Sequence, residues 1–209
     1  MIYLDNAATS WPKPESVYDA VNEAIRTGGN PGRGSSEQAK AAADGIMEAR
    51  TVLAQMFRIA DPTRIIFTLN ATDAINMALQ GMLKPSDHVV TSRMEHNAVT
   101  RPLAYLEDAG VRVTKVETDP AKGADPEAVR AAICDDTKLV VMSHASNVTG
   151  ALNPIEEIGA VCREMNVPFP LWLSKNTREF AQFHQTTFFE DQFSDNKVPF
   201  DRFMIRLIG

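Results

Sequence analysis

Short apolar runs alternate with amphipathic stretches along the first 169 residues. The runs predict strands, and the stretches predict helices because their apolar residues recur at helical spacing. In the stretch 71–82, for example, Ile75, Ala78, Leu79 and Met82 share one helical face. The predicted strands are 64–68, 88–91, 111–116 and 138–143, and the predicted helices are 14–27, 36–57, 71–82, 98–109, 126–133 and 155–165. Strands separated by single helices indicate βαβ units, and therefore an α/β protein with an open, mostly parallel sheet.

The composition changes near residue 170. Seven of the ten phenylalanines lie beyond this point, in a stretch with neither helical nor strand periodicity. Only 170–173 can continue the strand pattern. We therefore interpret 1–169 as one unit and 170–209 as a separate, phenylalanine-rich tail.

Charge and cysteine content exclude several classes of protein. The net charge of −6 argues against nucleic acid or an anionic membrane as the main partner. No apolar run approaches the roughly 18 residues of a membrane helix, and the first residues show no signal-peptide pattern. The cysteines, Cys134 and Cys162, form no CxxC pair, and we predict that both are small buried residues. We expect a cytoplasmic protein.

Polar residues follow the predicted strands at the edge where parallel sheets bind ligands. After the first strand, Asn70 can cap the next helix with Asp73 three residues on. The N–H groups of Ala71 and Thr72 can then bind an anion. After the second strand, His96 can stack on a flat ring or exchange protons. A capped helix and a capping turn without any ligand are the alternative interpretations.

Two further segments offer polar groups. Asn147, after the fourth strand, offers an amide to a ligand oxygen. Near the amino terminus, Asn6, Ala7 and Ala8 allow close approach, and Arg33 in a glycine-rich loop can hold a carboxylate or phosphate. A ligand-free turn and a flexible loop explain the same segments. The histidine and cysteine spacings contain no HExxH motif or Cys/His cluster, so no metal site is predicted.

Five ordered segments resemble one family: YLDNAATSWPKPESV, GNPGRGSSEQA, IIFTLNATDAINMAL, DHVVTSRMEHNAVTRPL and SHASNVTGALNPIEEIG. They resemble the pyridoxal-phosphate-dependent class V aminotransferases, and within these the cysteine desulfurase-like branch, over about residues 2–169. The resemblance implies part of the large domain of a fold-type I enzyme that is usually a homodimer. It also implies pyridoxal 5′-phosphate as the cofactor and release of sulfur or selenium from cysteine or selenocysteine, which leaves alanine.

The resemblance also implies roles for single residues. Ala71 and Thr72 correspond to the turn that holds the cofactor phosphate. His96 corresponds to the histidine that stacks on the pyridine ring. Asn147 corresponds to the asparagine that hydrogen-bonds the phenolic oxygen of that ring.

Other parts of the family pattern are partly matched or missing. Residues 6–8 correspond to the segment on the substrate side, and Arg33 lies in a loop that approaches the active site near the dimer interface. Trp172 or Leu173 stands where the family has an Asp that pairs with the pyridine nitrogen. Lys175 comes too early to correspond to the Schiff-base lysine. We therefore expect a truncated and impaired enzyme, without an assignable catalytic residue.

Several explanations remain open at this point. In one explanation, a frameshift or gene truncation has replaced the second half of the family's sequence with the tail. In the other, the chain is a short paralogue with a different carboxyl end. Besides cysteine desulfuration, the chain is compatible with an aminotransferase or β-lyase acting on another amino acid. It is also compatible with a catalytically dead cofactor-binding remnant, or with a heterodimer partner of an intact homologue.

Overall fold

The computed structural model describes residue 2 and residues 11–32, 34–57, 59–169, 171–172 and 203–204, the last two pairs as strand backbone only. Residues 6–8, Arg33, Lys175 and most of the tail lie outside this described part of the chain. Among the described residues, no helix combines the length and the apolar character needed to cross a membrane.

The helices and strands follow the order predicted from the sequence, with small shifts at their ends. The helices are α1 Glu15–Thr27, α2 Glu37–Phe57, α3 Ala71–Met82, α4 Asn97–Asp108, α5 Pro126–Ala132 and α6 Ile155–Glu164. The strands are β1 Ile65–Ile66, β2 His88–Ser92, β3 Arg112–Val116, β4 Thr118–Asp119, β5 Gly123–Ala124, β6 Thr137–Ser143, β7 Leu171–Trp172 and β8 Phe203–Met204. A single 3-10 turn at Pro62–Arg64 precedes β1.

A four-stranded sheet in the order β3-β2-β6-β7 forms the centre of the described structure. Each neighbouring pair is parallel, with His88 opposite both Arg112 and Thr137, and Met142 opposite Leu171. Helix α4 connects β2 to β3, and α6 connects β6 to β7. The predicted mostly parallel α/β sheet is therefore confirmed, and β7 forms within the stretch 170–173.

Alternate residues of β2 and β6 are buried on opposite faces of this sheet. Val90, Val140 and Met142 pack with α5 and α6 in one apolar cluster. Val89, Leu139 and Val141 pack with α3 and α4 in the other. Because helices cover both faces, every residue of β2 is buried. Burial of each such side chain stabilises the fold by about 1.5–3 kcal/mol, so these two strands contribute much of the stability of the sheet.

Strand β1 differs from the prediction. It comprises two residues where five were predicted, and it pairs in parallel with β8 and not with the four-stranded sheet. The side chains that follow it lack apolar cover: Phe67 is 46% exposed and Leu69 is 84% exposed. The prediction that 64–68 forms a full strand of the central sheet is therefore wrong.

The hairpin β4–β5 was not predicted. It closes at Gly123, whose φ of +84° favours glycine. A Cβ on Gly123 would lie 2.7 Å from Asn153 Oδ1, so no side chain fits there. The same Asn153 accepts a hydrogen bond from the Ala124 N–H and donates one to the carbonyl of Ser143. The hairpin is thus fixed against the carboxyl end of β6.

The cysteines have different environments. Cys162 is buried in α6, as predicted, and burial raises the pKa of its thiol to about 12. Cys134 is exposed, and the prediction of burial is wrong. Helix α5 ends at Ala132, so Cys134 lies in the turn before β6 and not on the buried face of a helix.

Candidate cofactor site

Helix α3 begins with the predicted cap. Asn70 Oδ1 accepts a hydrogen bond from the N–H of Asp73 at 2.8 Å. The Asp73 carboxylate turns back and accepts from the N–H of Leu69 at 3.3 Å. Its charge is therefore held at the residue before the cap, while the helix dipole and the N–H groups of Ala71 and Thr72 give this end of α3 its positive character.

Helix α4 begins with a histidine cap. His96 is the N-cap residue, and its Nδ1 accepts a hydrogen bond from the N–H of Ala98 at 3.0 Å. Because Nδ1 is the acceptor, the neutral ring carries its proton on Nε2. The side chain is half-buried. The cap thus fixes the orientation of the imidazole at the start of the helix.

The starts of α3 and α4 border one cleft of about 390 Å³. Its walls are formed by Thr72, Asn76, His96, Asn97, Ala98, Arg101, Pro102 and Tyr105. Arg101 is a cation, and no carboxylate is among these residues. Two helix N-termini and an arginine form a surface that favours an anion, beside a histidine ring that can lie against a flat molecule. The structure therefore brings Thr72 and His96 together, as the sequence predicted.

Glu95 joins the carboxyl ends of β2 and β6. Its Oε1 accepts from the Ser92 hydroxyl at 2.7 Å, and both carboxylate oxygens accept from the N–H of Ser143 at 3.0 Å. Burial raises the pKa of Glu95, and the hydrogen bonds from Ser92 and Ser143 act in the opposite direction. Because His96 is the next residue, this bridge positions the cap of α4 relative to β6. Sequence reasoning missed this role, although Glu95 lies in the segment that drew attention to His96.

Asn147 lies in the turn that follows β6. Ser146 Oγ accepts from the N–H groups of Val148 and Thr149, and Gly150, at φ +75°, donates to the Ser146 carbonyl at 2.9 Å. Asn147 is exposed at this turn and does not line the cleft. Ala71 is buried and does not line it either. The structure thus places two of the four predicted cofactor residues, Thr72 and His96, on one cleft.

Metal-binding groups are a separate question. Within the part of the chain that the structure describes, no three His, Cys, Asp or Glu side chains are placed to hold a metal ion.

The fold and the cleft define the class of protein. A parallel α/β sheet with helix N-termini and a fixed histidine at the carboxyl ends of its strands is an architecture for binding a small anionic ligand. The sequence model of the family described as "Aminotransferase class-V" matches residues 2–170, and the chain belongs to this family. Class V aminotransferases and cysteine desulfurases are pyridoxal-phosphate enzymes.

Curated relatives are cysteine desulfurases. The mitochondrial cysteine desulfurase of Arabidopsis thaliana is 35% identical over 173 residues, which cover 80% of this chain and 38% of the relative. Cysteine desulfurase IscS of Clostridium botulinum (strain Kyoto / Type A2) is 32% identical over 174 residues, which cover 80% of this chain and 43% of the relative. The chain thus spans about two fifths of the length of these relatives.

Solved structures show the same likeness. The apo cysteine desulfurase from Thermococcus onnurineus NA1 matches with a TM-score of 0.73 and 28% identity, over 81% of this chain and 43% of that chain. SspA in complex with cysteine matches with a TM-score of 0.72 and 29% identity, over 79% of this chain and 48% of that chain. These matches confirm the predicted fold: this chain has the α/β architecture of part of a fold-type I cysteine desulfurase.

Proposed function

We propose that the chain carries the phosphate-binding and ring-binding part of a pyridoxal-phosphate site of the cysteine desulfurase type. The observation that carries this proposal is the single cleft shared by Thr72, at the start of α3, and His96, at the start of α4. The names of the relatives support cysteine as the substrate, and one structural neighbour is a complex with cysteine. The proposed reaction releases sulfur from L-cysteine and leaves alanine.

Each residue of the site has a role that follows from its chemistry. The N–H groups of Ala71 and Thr72, with the Thr72 hydroxyl, would hold the phosphate, and Arg101 would add a positive charge. The His96 ring would lie against the pyridine ring, in the orientation that its cap fixes. Asn147 would offer its amide to the phenolic oxygen. When bound, the cofactor supplies an electron sink for amino-acid chemistry.

The substrate side of the site rests on the resemblance alone. Residues 6–8 and Arg33 would face the amino acid, with the Arg33 guanidinium suited to its carboxylate. In the intact family this side lies near the interface of a homodimer, and a homodimer is therefore the assembly we propose.

We further propose that a polypeptide of these 209 residues binds the cofactor weakly and turns over cysteine poorly. Trp172 or Leu173 replaces the aspartate of the family, and an apolar side chain cannot stabilise a protonated pyridine nitrogen. Lys175 does not have the sequence context of the Schiff-base lysine. Binding without turnover would be the behaviour of a cofactor-binding remnant or of a partner for an intact homologue.

The test of binding is a titration of the full chain with pyridoxal 5′-phosphate, followed by absorbance. Two substitutions separate the ring of His96 from its cap. His96→Asn keeps a good N-cap and loses the ring, and it should weaken binding by about two- to tenfold, since a stacked pair contributes about 0.5–1.5 kcal/mol. His96→Phe keeps a ring and loses the cap acceptor that orients it, and its affinity should lie between those of the wild type and His96→Asn.

The test has further arms. Thr72→Val should weaken binding by at least about tenfold, because a hydrogen bond to a charged group contributes about 1.5–3 kcal/mol. Equal affinity in the wild type, His96→Asn and Thr72→Val would overturn the proposed site. Borohydride treatment of the cofactor-loaded chain should leave no covalent adduct on lysine, and a stable adduct would contradict weak, non-covalent binding.

Product analysis separates the proposed reaction from its alternative. Sulfide and alanine from L-cysteine would support desulfuration. Keto acids formed from alanine or aspartate would instead support an aminotransferase. Cofactor binding without formation of any product would support a remnant.

A further inference from the structure

A polar cluster lies at the amino ends of the strands, at the opposite end of β2 from the cleft. His88, the first residue of β2, contacts Thr137, the first residue of β6, with Nδ1 2.8 Å from Thr137 Oγ1. Its Nε2 lies 2.8 Å from Thr114 Oγ1 on β3. The Sγ atom of Cys134 lies 3.4 Å from His88 Nδ1 and 3.5 Å from Thr137 Oγ1. A thiol, an imidazole and two hydroxyls thus form one connected network.

Burial within this network is uneven. His88 is 4% exposed, whereas Cys134, in the turn before β6, is exposed. Solvent molecules can therefore reach the thiol from one side while a buried imidazole and a hydroxyl contact it from the other. An accessible thiol with a hydrogen-bond donor held beside it is an arrangement that stabilises the thiolate in proteins. The other cysteine, Cys162, is buried among apolar residues and has no such access.

The hydrogen-bond directions favour a thiolate. The N–H of Cys134 donates to Thr137 Oγ1 at 2.8 Å, and a neutral His88 ring with its proton on Nδ1 donates to the same oxygen, which leaves the hydroxyl proton for Sγ. This hydroxyl is the main cause of a lowered pKa for Cys134. Arg112 acts in the same direction and Asp136 in the opposite one, and these two side chains form an ion pair at 2.8 Å. Burial and the charge of Arg112 lower the pKa of His88, which favours the neutral ring with a single proton.

We propose that Cys134 is a thiol–disulfide exchange site for small disulfides, activated by His88 and Thr137. The thiol gives its proton to solvent, the Thr137 hydroxyl donates a hydrogen bond to the resulting thiolate, and the thiolate attacks one sulfur of the disulfide. A bond forms between Sγ and that sulfur, the disulfide bond breaks, and its electron pair leaves with the second sulfur as a thiolate. Cys134 is oxidised to a mixed disulfide, and half of the small disulfide is reduced to the free thiol. This site does not depend on the proposed function, because it shares no residue with the cleft.

The experiment follows the reaction of the full chain with 4,4′-dithiodipyridine, a neutral small disulfide, by absorbance and intact mass. The reference is a synthetic peptide of residues 131–137, which has the same neighbours in sequence and no fold. At neutral pH one equivalent should react several-fold faster in the chain than in the peptide, because a lowered pKa of Cys134 raises the thiolate fraction more than it lowers the nucleophilicity of the thiolate. Cys134→Ala should abolish this fast equivalent and Cys162→Ala should not.

Three substitutions test the activating groups. Thr137→Val removes the hydroxyl at nearly constant shape and should slow the reaction several-fold, because that hydroxyl is the first cause of the lowered pKa of Cys134. Thr137→Ser keeps the hydroxyl and should react like the wild type, which makes it the matched control. His88→Gln should also slow the reaction at neutral pH, because it removes the Nδ1–H group that turns the Thr137 hydroxyl proton towards Sγ.

The possible outcomes are decisive. A fast equivalent at Cys134 that Thr137→Val slows and Thr137→Ser retains supports the proposal. A rate in the chain equal to that of the peptide, or a fast equivalent at Cys162, overturns it. Circular dichroism establishes whether each variant is folded. If Thr137→Val or His88→Gln unfolds, the comparison between chain and peptide still decides.

Discussion

Polar residues have different arrangements at the two ends of the strands of the central sheet. The carboxyl ends of the strands form its carboxyl edge, and the amino ends form its amino edge. At the carboxyl edge, Thr72, His96 and Arg101 face a cleft, and helix ends supply the donors. At the amino edge, the buried side chains of His88 and Thr137 hydrogen-bond each other, and the exposed Cys134 contacts them both. The comparison indicates that a ligand site needs N–H donors that are not used within the protein, which helix ends supply. A reactive thiol instead needs side chains beside it that already hydrogen-bond one another.

Strand β6 connects the two edges. Thr137 lies at its amino end and Ser143, which Glu95 binds, lies at its carboxyl end. The residues 139–142 between them are buried. A change inside β6 should therefore affect both edges, and a change at either end should affect one.

The largest effect is expected for Leu139→Ala. Leu139 is fully buried in the cluster with α3 and α4, so its truncation should lower the free energy of unfolding by about 2–5 kcal/mol. The affinity for the cofactor and the rate of the fast reaction of Cys134 should both decrease. Denaturant unfolding measures the loss, with the exposed neighbour variant Lys138→Ala as control, which should stay within about 0.5 kcal/mol. A loss below about 1 kcal/mol for Leu139→Ala would contradict the shared core.

Glu95→Ala should have the next largest effect, confined to the carboxyl edge. It leaves the buried N–H of Ser143 without its carboxylate partner, at a cost of about 1–3 kcal/mol. Cofactor affinity should fall, while the rate at which Cys134 reacts with 4,4′-dithiodipyridine should stay unchanged. The control is Glu117→Ala, because the ion pair of Glu117 with Arg93 is exposed and should contribute at most about 1 kcal/mol. Equal losses of stability in Glu95→Ala and Glu117→Ala would show that the Glu95 bridge does not hold β2 and β6 together at their carboxyl ends.

The pH dependence of stability gives a second test of Glu95. Its pKa is raised, so the native state keeps the proton to a higher pH than the unfolded chain does. Its contribution to stability is therefore complete below the unfolded pKa of about 4.3 and is lost as the pH rises through the native value. Glu95→Gln does not titrate. The stability of the wild type should thus decline relative to Glu95→Gln above about pH 4.3. A relative gain in the wild type would mean that the hydrogen bonds outweigh burial.

The smallest effects are expected at the charged pair beside Cys134. Arg112→Gln should raise the pKa of the Cys134 thiol and Asp136→Asn should lower it, since the two charges act on it in opposite directions. The pair is exposed, so either change should alter stability by at most about 1 kcal/mol. The pH profile of the reaction with 4,4′-dithiodipyridine measures both shifts. Shifts of the same sign would show that the charges do not act directly on the thiol.

Local patterns account for what the sequence predicted correctly. Helix α3 was predicted with the correct ends because its cap, Asn70 with Asp73, and its apolar face are all encoded within the thirteen residues 70–82. Strands β2 and β6 were predicted because burial on both faces requires continuous apolar runs.

Contacts between distant residues account for what was missed. Glu95 and Ser143 are 48 residues apart, and Cys134 and His88 are 46 residues apart. Neither pair leaves a periodic signal in the sequence. The short β1 was overestimated for a related reason, since its length depends on the partner β8 and not on its own apolar run.

Amide hydrogen exchange of the full chain, with and without pyridoxal 5′-phosphate, tests the central claim most directly because it reads both edges of the sheet at once. We predict that the cofactor slows exchange at the first turns of α3 and α4, at residues 71–76 and 96–101, and leaves the turn at Cys134 unchanged. Protection absent from both helix starts, or centred on the amino edge of the sheet, would contradict the account.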